Sequence, residues 1–313
     1  MDKDDYNKMV ELINSGLSTD EVLDKIVDYR RQKESSRGAD TSLEEMIDDF
    51  LDAARESEEH FETVEKIYNE LKEKVYDNIY RSYNYVKHNY SNKFKDFDNK
   101  EINQIISDLS WNKEYRSAIL ACAINYSDLD DIVIYEDVSD IPYIGFRLGE
   151  NRQKNRIVVK GDAGSYCGDA MSGGEIHVNG DVGFGCGSGM SGGEIHVKGD
   201  VVGDSCGFEM SGGEIYVGGD VVGSCGFYMS CGKIEVNGNI GDFCGSFMRS
   251  GVISVKGNVG DSCGFKMSGG EIHVKGDVSY HCGYSMCGGL IFTKNKTYEA
   301  SLPRKIIGMF RNG

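Results

Sequence analysis

The sequence predicts an α+β chain in two parts, an all-α helical region followed by a parallel β-helix of about seven coils. Three observations carry that prediction. One unit with a 19-residue period recurs seven times between residues 161 and 294, from GDAGSYCGDAMSGGEIHVN to GDVSYHCGYSMCGGLIFTK, and the third copy runs to 20 residues through an extra Val201. Glycine is confined to the same part, since residues 1–150 hold only 4 of the 41 glycines. Charge divides at the same place: residues 1–150 carry 35 acidic against 19 basic side chains, a net of −16 out of the chain's −17.

Aligned, the copies place Cys167, Cys186, Cys206, Cys225, Cys244, Cys263 and Cys282 in one column, each followed by Gly. Met171, Met190, Met210, Met229, Met248, Met267 and Met286 form a second, and Ile176, Ile195, Ile215, Ile234, Ile253, Ile272 and Ile291 a third, with Val two residues after Ile in the first six copies. Ile and Val at i and i+2 with Glu, His or Lys between them is strand alternation, which sends the aliphatic pair to one face and residues such as Glu175 and His177 to the other. A single unit cannot bury that face alone, so the units stack, each strand pairing with its counterpart one repeat on at about 4.8 Å. The return segments are glycine-dense, which suits tight corners at positive φ and excludes the helical return of a leucine-rich repeat. Met, Cys, Ile and Val are then expected to point inward as ladders.

The corner residues Asp162, Asp181, Asp200, Asp220, Asn239, Asn258 and Asp277 each follow a Gly and are expected to accept from their own turn's amides. Calcium held between coils is the alternative, and the two neutral Asn in the column count against it. The Cys column invites a metal, but thiols spaced about 4.8 Å apart along a line do not converge as zinc or iron–sulfur ligation requires. No CxxC occurs. A packing role for buried thiols is the simpler expectation. His177, His196 and His273 share an outward column, where a solvated sheet face competes with a two-His metal site that lacks a third ligand. GDVG and GSGMSGG imitate phosphate loops, yet no GKS or GKT follows and no strand-to-helix transition accompanies the glycines. The sequence therefore offers no catalytic, cofactor-binding or metal-ligating residue, and no cofactor is expected.

The pattern GD(V)G, CG, M, GG, I, V resembles the GXGXG domain, found as the C-terminal domain of the glutamate synthase large subunit and as one of the subunits of formylmethanofuran dehydrogenase. The resemblance covers residues 157–294. It implies a right-handed β-helix that serves as a spacer or docking subunit beside catalytic partners. In that family the flavin, iron–sulfur, molybdenum or tungsten chemistry belongs to other domains or subunits, so no catalytic residue transfers to this chain.

In chain order, residues 1–130 read as an acidic helical domain and 131–313 as the β-helix with its flanks. Helices are expected at 4–14, with Tyr6, Met9, Val10 and Ile13 on one face, and after the Ser18/Glu21 capping box. Residues 33–42 are a polar linker. One long helix is expected over 42–93, with Ala54, Ser57, Phe61, Val64, Tyr68, Leu71 and Val75 as a seam for either an oligomerising coiled coil or a local hairpin. Tyr76, Tyr80, Tyr83 and Tyr90 form an aromatic face expected to dock on a partner. Asp98 with Glu101 caps a further helix bearing Ile102, Ile105, Ile106 and Leu109, and 112–126 is another, with Cys122 in its core face. The β-type stretch from 132 to 149 reads as an irregular first coil. The tail 295–313 carries Ile306, Ile307, Met309 and Phe310 among Arg304, Lys305 and Arg311, to close the last coil or dock elsewhere.

The acidity argues against nucleic acid or an anionic membrane as partner. No apolar run approaches a membrane span and no signal peptide is evident, so a cytoplasmic protein with reduced thiols is expected. The functional expectation is a non-catalytic scaffold subunit of a redox-type enzyme complex, with other protein subunits as partners. Self-assembly through the helices or the open coil ends is the second reading, and an oxidoreductase component with activity of its own the third.

Overall fold

The computed structural model describes residues 62–72, 74, 78–107, 113–135, 138–151 and 155–300. The helical pair before residue 30, the linker 33–42, the first part of the long helix and the tail beyond Ala300 lie outside the described residues. The chain divides into two compact units, Met1–Glu58 and Glu59–Gly313. The helices from residue 62 onward share a unit with the β-helix.

Among the described residues four α-helices come first: α1 over 62–72, α2 Ile79–Tyr90, α3 Asn99–Ser107 and α4 Lys113–Tyr126. The continuous helix expected up to residue 93 is broken at Asn78, whose extended backbone (φ −159°, ψ 160°) lets its side chain accept from the Arg81 amide and restart the helix as α2. The seam residues Val64 and Leu71 are buried within the chain, 2 % and 0 % exposed, so that stretch of the seam is already covered without a second copy. The capping box expected at Asp98 and Glu101 forms in both directions: Glu101 N donates to Asp98 Oδ1 at 2.9 Å, and Asp98 N to Glu101 Oε2 at 2.8 Å.

Ten strands follow: β1 Asp131–Ile134, β2 Arg156–Val159, β3 Ser172–Val178, β4 Ser191–Val197, β5 Gly212–Val217, β6 Lys233–Val236, β7 Val252–Val255, β8 Ser268–Val274, β9 Gly288–Phe292 and β10 Thr297–Glu299. They form one sheet in sequence order. From β1 to β9 every neighbour is parallel, and equivalent residues pair, Ile157 with Ile176, Ile176 with Ile195, and so on to Ile291. β10 then folds back antiparallel on β9. This is a parallel β-helix.

Its interior is what the columns imply. Cys186, Cys206, Cys225, Cys244 and Cys263, Met190, Met210, Met229, Met248 and Met267, and Ile195, Ile215, Ile234, Ile253 and Ile272 are all 0 % exposed. A further buried column, Ala163, Val182, Val201, Val221, Ile240 and Val259, runs through single parallel bridges. Val201 belongs to it in register with Val182 and Val221, so the extra residue of the third copy is taken up in the turn that follows, not at Val201. The Gly after each Cys has a double cause, shown by Gly207: its φ is +66°, and a Cβ there would lie 2.5 Å from Ile234 Cδ1 of the next coil.

The irregular first coil is a true coil with its chemistry changed. Gly168 N donates to Ile144 O and Ser172 N to Leu148 O, as Gly187 N does to Cys167 O and Ser191 N to Met171 O, all at 2.8 Å. Ile144 and Leu148 thus stand where later coils have Cys and Met.

Candidate functional site

In the coils, the corner Asp and Asn, the Cys column and the outward His column are occupied by their own ladders or strand neighbours. Asp181 N donates to Asp162 Oδ1 at 2.7 Å, Asp200 N to Asp181 Oδ1 at 2.8 Å and Asp220 N to Asp200 Oδ1 at 2.7 Å, and the Asn members continue the pattern to Asp277. The corner oxygens therefore accept from the next coil's amide, not from their own turn as the sequence suggested. Each corner clamps two coils together.

The ten cysteines are free. Those of the ladder stand in file, one per coil; burial pushes the Cys167 thiol well above its ordinary range, and for Cys186 a hydrogen bond to Cys206 acts with burial in the same direction. Protonated thiols in a line are poor ligands and poor nucleophiles. On the outward face the His177 and His196 rings stack at 4.6 Å, and His196 stacks on Tyr216 at 4.7 Å. Each histidine meets a glutamate of its own strand, His177 with Glu175 and His196 with Glu194 at 3.1 Å, His273 with Glu271 at 2.9 Å. Among the described residues no group of three or more His, Cys, Asp or Glu is placed to hold a metal.

One polar cluster is singular instead of repeated, and it lies where α2 meets the first coils. Tyr83 is fully buried against Phe146, edge to face at 5.2 Å, and donates to Glu150 Oε2 at 2.7 Å. Tyr80 packs on the same Phe146 and donates to Asp169 Oδ2 at 2.9 Å. The Arg147 guanidinium lies over the Tyr80, Tyr83 and Phe146 rings at 5.6–5.7 Å. Lys87 completes the group with an ion pair to Glu150 at 2.5 Å. Burial pushes Asp169 up to about 6, against the Tyr80 hydrogen bond and Arg147, which favour its charged form. Burial also raises Tyr80, to about 12. Burial lifts Glu150 too, but hydrogen bonds from Lys87 and Tyr83 outweigh it and hold that carboxyl below its ordinary value.

This cluster takes up part of the aromatic face on which the sequence suggested a partner would dock. Tyr83 and one side of Tyr80, which stays 44 % exposed, are spent on the chain's own β-helix, and Tyr90 donates to Glu70 Oε2 at 2.6 Å; Tyr76 lies outside the described residues. Nothing in the helical spacing says what covers an aromatic face, whereas Phe146 and Glu150 could be found only by aligning the first coil on the repeat. The groups of the cluster satisfy one another. It fastens helix to coil.

Sequence reasoning also missed a groove on the turn side of coils three to five. It encloses about 450 Å³ and is lined by Phe208, Phe227, Val222 and Phe243 together with Asp204 and Asp242.

No protein-family model matches the chain, and no curated protein matches it. No helix among the described residues is long and apolar enough to cross a membrane.

Proposed function

We propose that this chain is a non-catalytic structural subunit or module of a redox-type enzyme complex, with other protein subunits as its partners. The observation that supports this reading is the repetition itself. A catalytic residue is singular, but the Asp, Cys and His of the coils recur at equivalent positions and are held by their neighbours. What such a stack supplies is a straight, stiff body with outward side chains at fixed spacing. The assignment to a redox complex draws on the seven in-register copies that resemble the GXGXG domain.

Self-assembly by end-to-end stacking is the weaker reading, because β1, the strand that begins the stack, has its outer edge covered by α3. Asn99 Nδ2 donates to Asp131 O at 3.1 Å and Asn99 Oδ1 accepts from Val133 N at 2.8 Å; Asn103 Nδ2 donates to Val133 O at 2.8 Å and its Oδ1 accepts from Tyr135 N at 3.3 Å. A covered edge does not template another strand.

Purification of the full chain from its native host after chemical cross-linking tests the proposal. The expected result is a stoichiometric set of protein subunits whose cross-links fall on the coils. A chain that purifies alone and catalyses a redox reaction by itself overturns it.

A further inference from the structure

The first coil shows, within the chain itself, what covers an aromatic side chain on the turn side of the β-helix. Phe146 follows Gly145 as Phe208 follows Gly207 and Phe227 follows Gly226, and each of these glycines faces an Ile Cδ1 of the next coil at 2.4–2.5 Å from where its Cβ would be. The turn bonds keep the same register: Arg147 N donates to Asp169 O, Gly189 N to Phe208 O and Glu209 N to Phe227 O. On the first coil this position is 0 % exposed, because α2 lays Tyr80 and Tyr83 edge to face on Phe146. The same helix brings Lys87 to the coil's Glu150. A helix that is apolar and cationic on one face thus meets a ring and a carboxylate of the coil.

Coils three to five repeat the ring and the carboxylate but not the cover. Phe208 and Phe227, stacked at 6.2 Å and half-buried, line the groove of about 450 Å³ with Asp204 and Asp242, and its Val222 and Phe243 are 63 % and 45 % exposed. The groove lies where the turn changes form. In six of the seven copies the residue before the ladder Cys has a left-handed backbone, among them Ser205 (φ 69°) and Phe243 (φ 63°); Ser224 of the fourth copy does not, and Cys206 and Cys225 bridge directly instead. Exposed apolar surface gathered in a concavity marks a site for another molecule. The charges say which kind. In the place of Arg147, whose guanidinium lies over Phe146 at 5.6 Å, coil three has Glu209 and coil four Tyr228, so at that position the coils bring no cation of their own. An arginine or lysine set among apolar residues supplies it, lying on the rings while its charge faces the two carboxylates.

We propose that the groove of coils three to five binds an amphipathic α-helix of a protein partner, one whose apolar face carries an arginine or lysine, in the manner of α2 on the first coil. The inference rests on the reading of the chain as a subunit among protein partners, and it adds to that reading the docking surface and the chemistry of the segment that docks.

The test uses the full-length chain with Phe243→p-benzoylphenylalanine, expressed in the native host, irradiated there and mapped by mass spectrometry. The expected adduct joins position 243 to another protein, at a peptide in which apolar residues recur every three or four positions around an arginine or lysine. Asp204→Asn combined with Asp242→Asn removes both charges but leaves an amide oxygen at 242 to accept from Asp261 N, so folding should be retained, as circular dichroism will show, while the adduct falls about tenfold. An adduct to a second copy of the chain, to a segment without that pattern, or one that the Asn pair leaves undiminished overturns the proposal. So does the lack of any adduct; if partner subunits then still cross-link to the coils away from the groove, the docking site fails and the subunit reading stands.

Discussion

In the β-helix a buried side chain stacks on a copy of itself, whereas in α2 to α4 the buried polar side chains meet partners of other kinds. Ile234 has Ile215 on one side and Ile253 on the other. Tyr83 has Phe146, Glu150 and Asn125. Stability in the coils is a sum over equivalent interfaces, so a defect in one coil is felt by two neighbours and cannot be relieved by repacking a different partner. In the helices it is a set of pairwise contacts, each removable with a local effect. Substitutions in the two regions should therefore differ in size and in reach.

The largest effect belongs to a middle rung. Ile234→Asp puts an unpaired carboxylate between Ile215 and Ile253 at a site that is 0 % exposed, and should cost several kcal/mol and unfold the coils. The adjacent Glu235→Ala, on the outward face where it meets Lys233, should cost under about 0.5 kcal/mol. Denaturant titration of both variants checks the alternation, and equal losses would break it.

Next come two glycines that share a left-handed backbone. Gly207 and Gly189 have φ of +66° and +63°, but a Cβ on Gly207 meets Ile234 Cδ1 at 2.5 Å while one on Gly189 meets nothing nearer than 4.0 Å. Gly207→Ala should therefore cost about 3 kcal/mol, from backbone and ladder together, and Gly189→Ala about 1 kcal/mol from backbone alone. The equivalents of Gly189 in other coils are Ala170, Glu209 and Tyr228, at φ of 54°, 52° and 58°, which shows that its conformation alone does not demand glycine.

These contrasts explain what could be read beforehand. The Cys, Met and Ile columns are legible because a repeat reports its own register, and strand alternation then says which way each residue points. The acceptor role of the corner Asp and Asn was legible but not its partner, because that partner lies in the next coil, 19 or 20 residues on. The first coil was legible as a coil, yet Ile144 and Leu148 conceal its register by replacing Cys and Met. The aromatic face was visible from helical spacing, but its cover, Phe146 and Glu150, lies more than sixty residues away in sequence. The groove was invisible, since it depends on which turn residues of three coils come side by side.

The singular cluster predicts a pH dependence that the ladders do not share. Asp169 carries a folded value of about 6 against an ordinary 3.8, so the folded state holds its proton more tightly than the unfolded state does. Its contribution is fully present well below the unfolded value and is lost as pH rises through about 6, about 3 kcal/mol in all, of which about 2 kcal/mol falls between pH 4 and 7. Glu150 has the opposite sign, because its lowered value makes its contribution appear above the unfolded value and vanish as pH falls. The bare pH profile mixes the two. The difference in unfolding free energy between the native chain and Asp169→Asn isolates the first: it should fall by about 2 kcal/mol between pH 4 and 7 and stay level beyond. A flat difference would mean that Asp169 is as well solvated as a coil-surface carboxylate.

The smallest effect tests the seam between the two regions. Along α3 four residues rise about 6 Å, close to the roughly 6.6 Å of two residues along a strand, so Asn99 and Asn103 present their amides to β1 at nearly the spacing of a neighbouring strand. Each side-chain amide donates to one β1 carbonyl and accepts from one backbone amide, Val133 N in β1 or Tyr135 N just after it, which lets a helix imitate the missing coil. Asn103→Ala removes the bonds to Val133 O, Asn99 O and Tyr135 N and should cost about 1 kcal/mol. Its signature is location: amide exchange should quicken at Tyr135 and leave Val133, held by Asn99, and the amides of β4 to β7 unchanged. If the amides of β4 to β7 exchanged faster as well, the coils would be drawing their order from the helices, and the division between self-stacked and pairwise regions would fail.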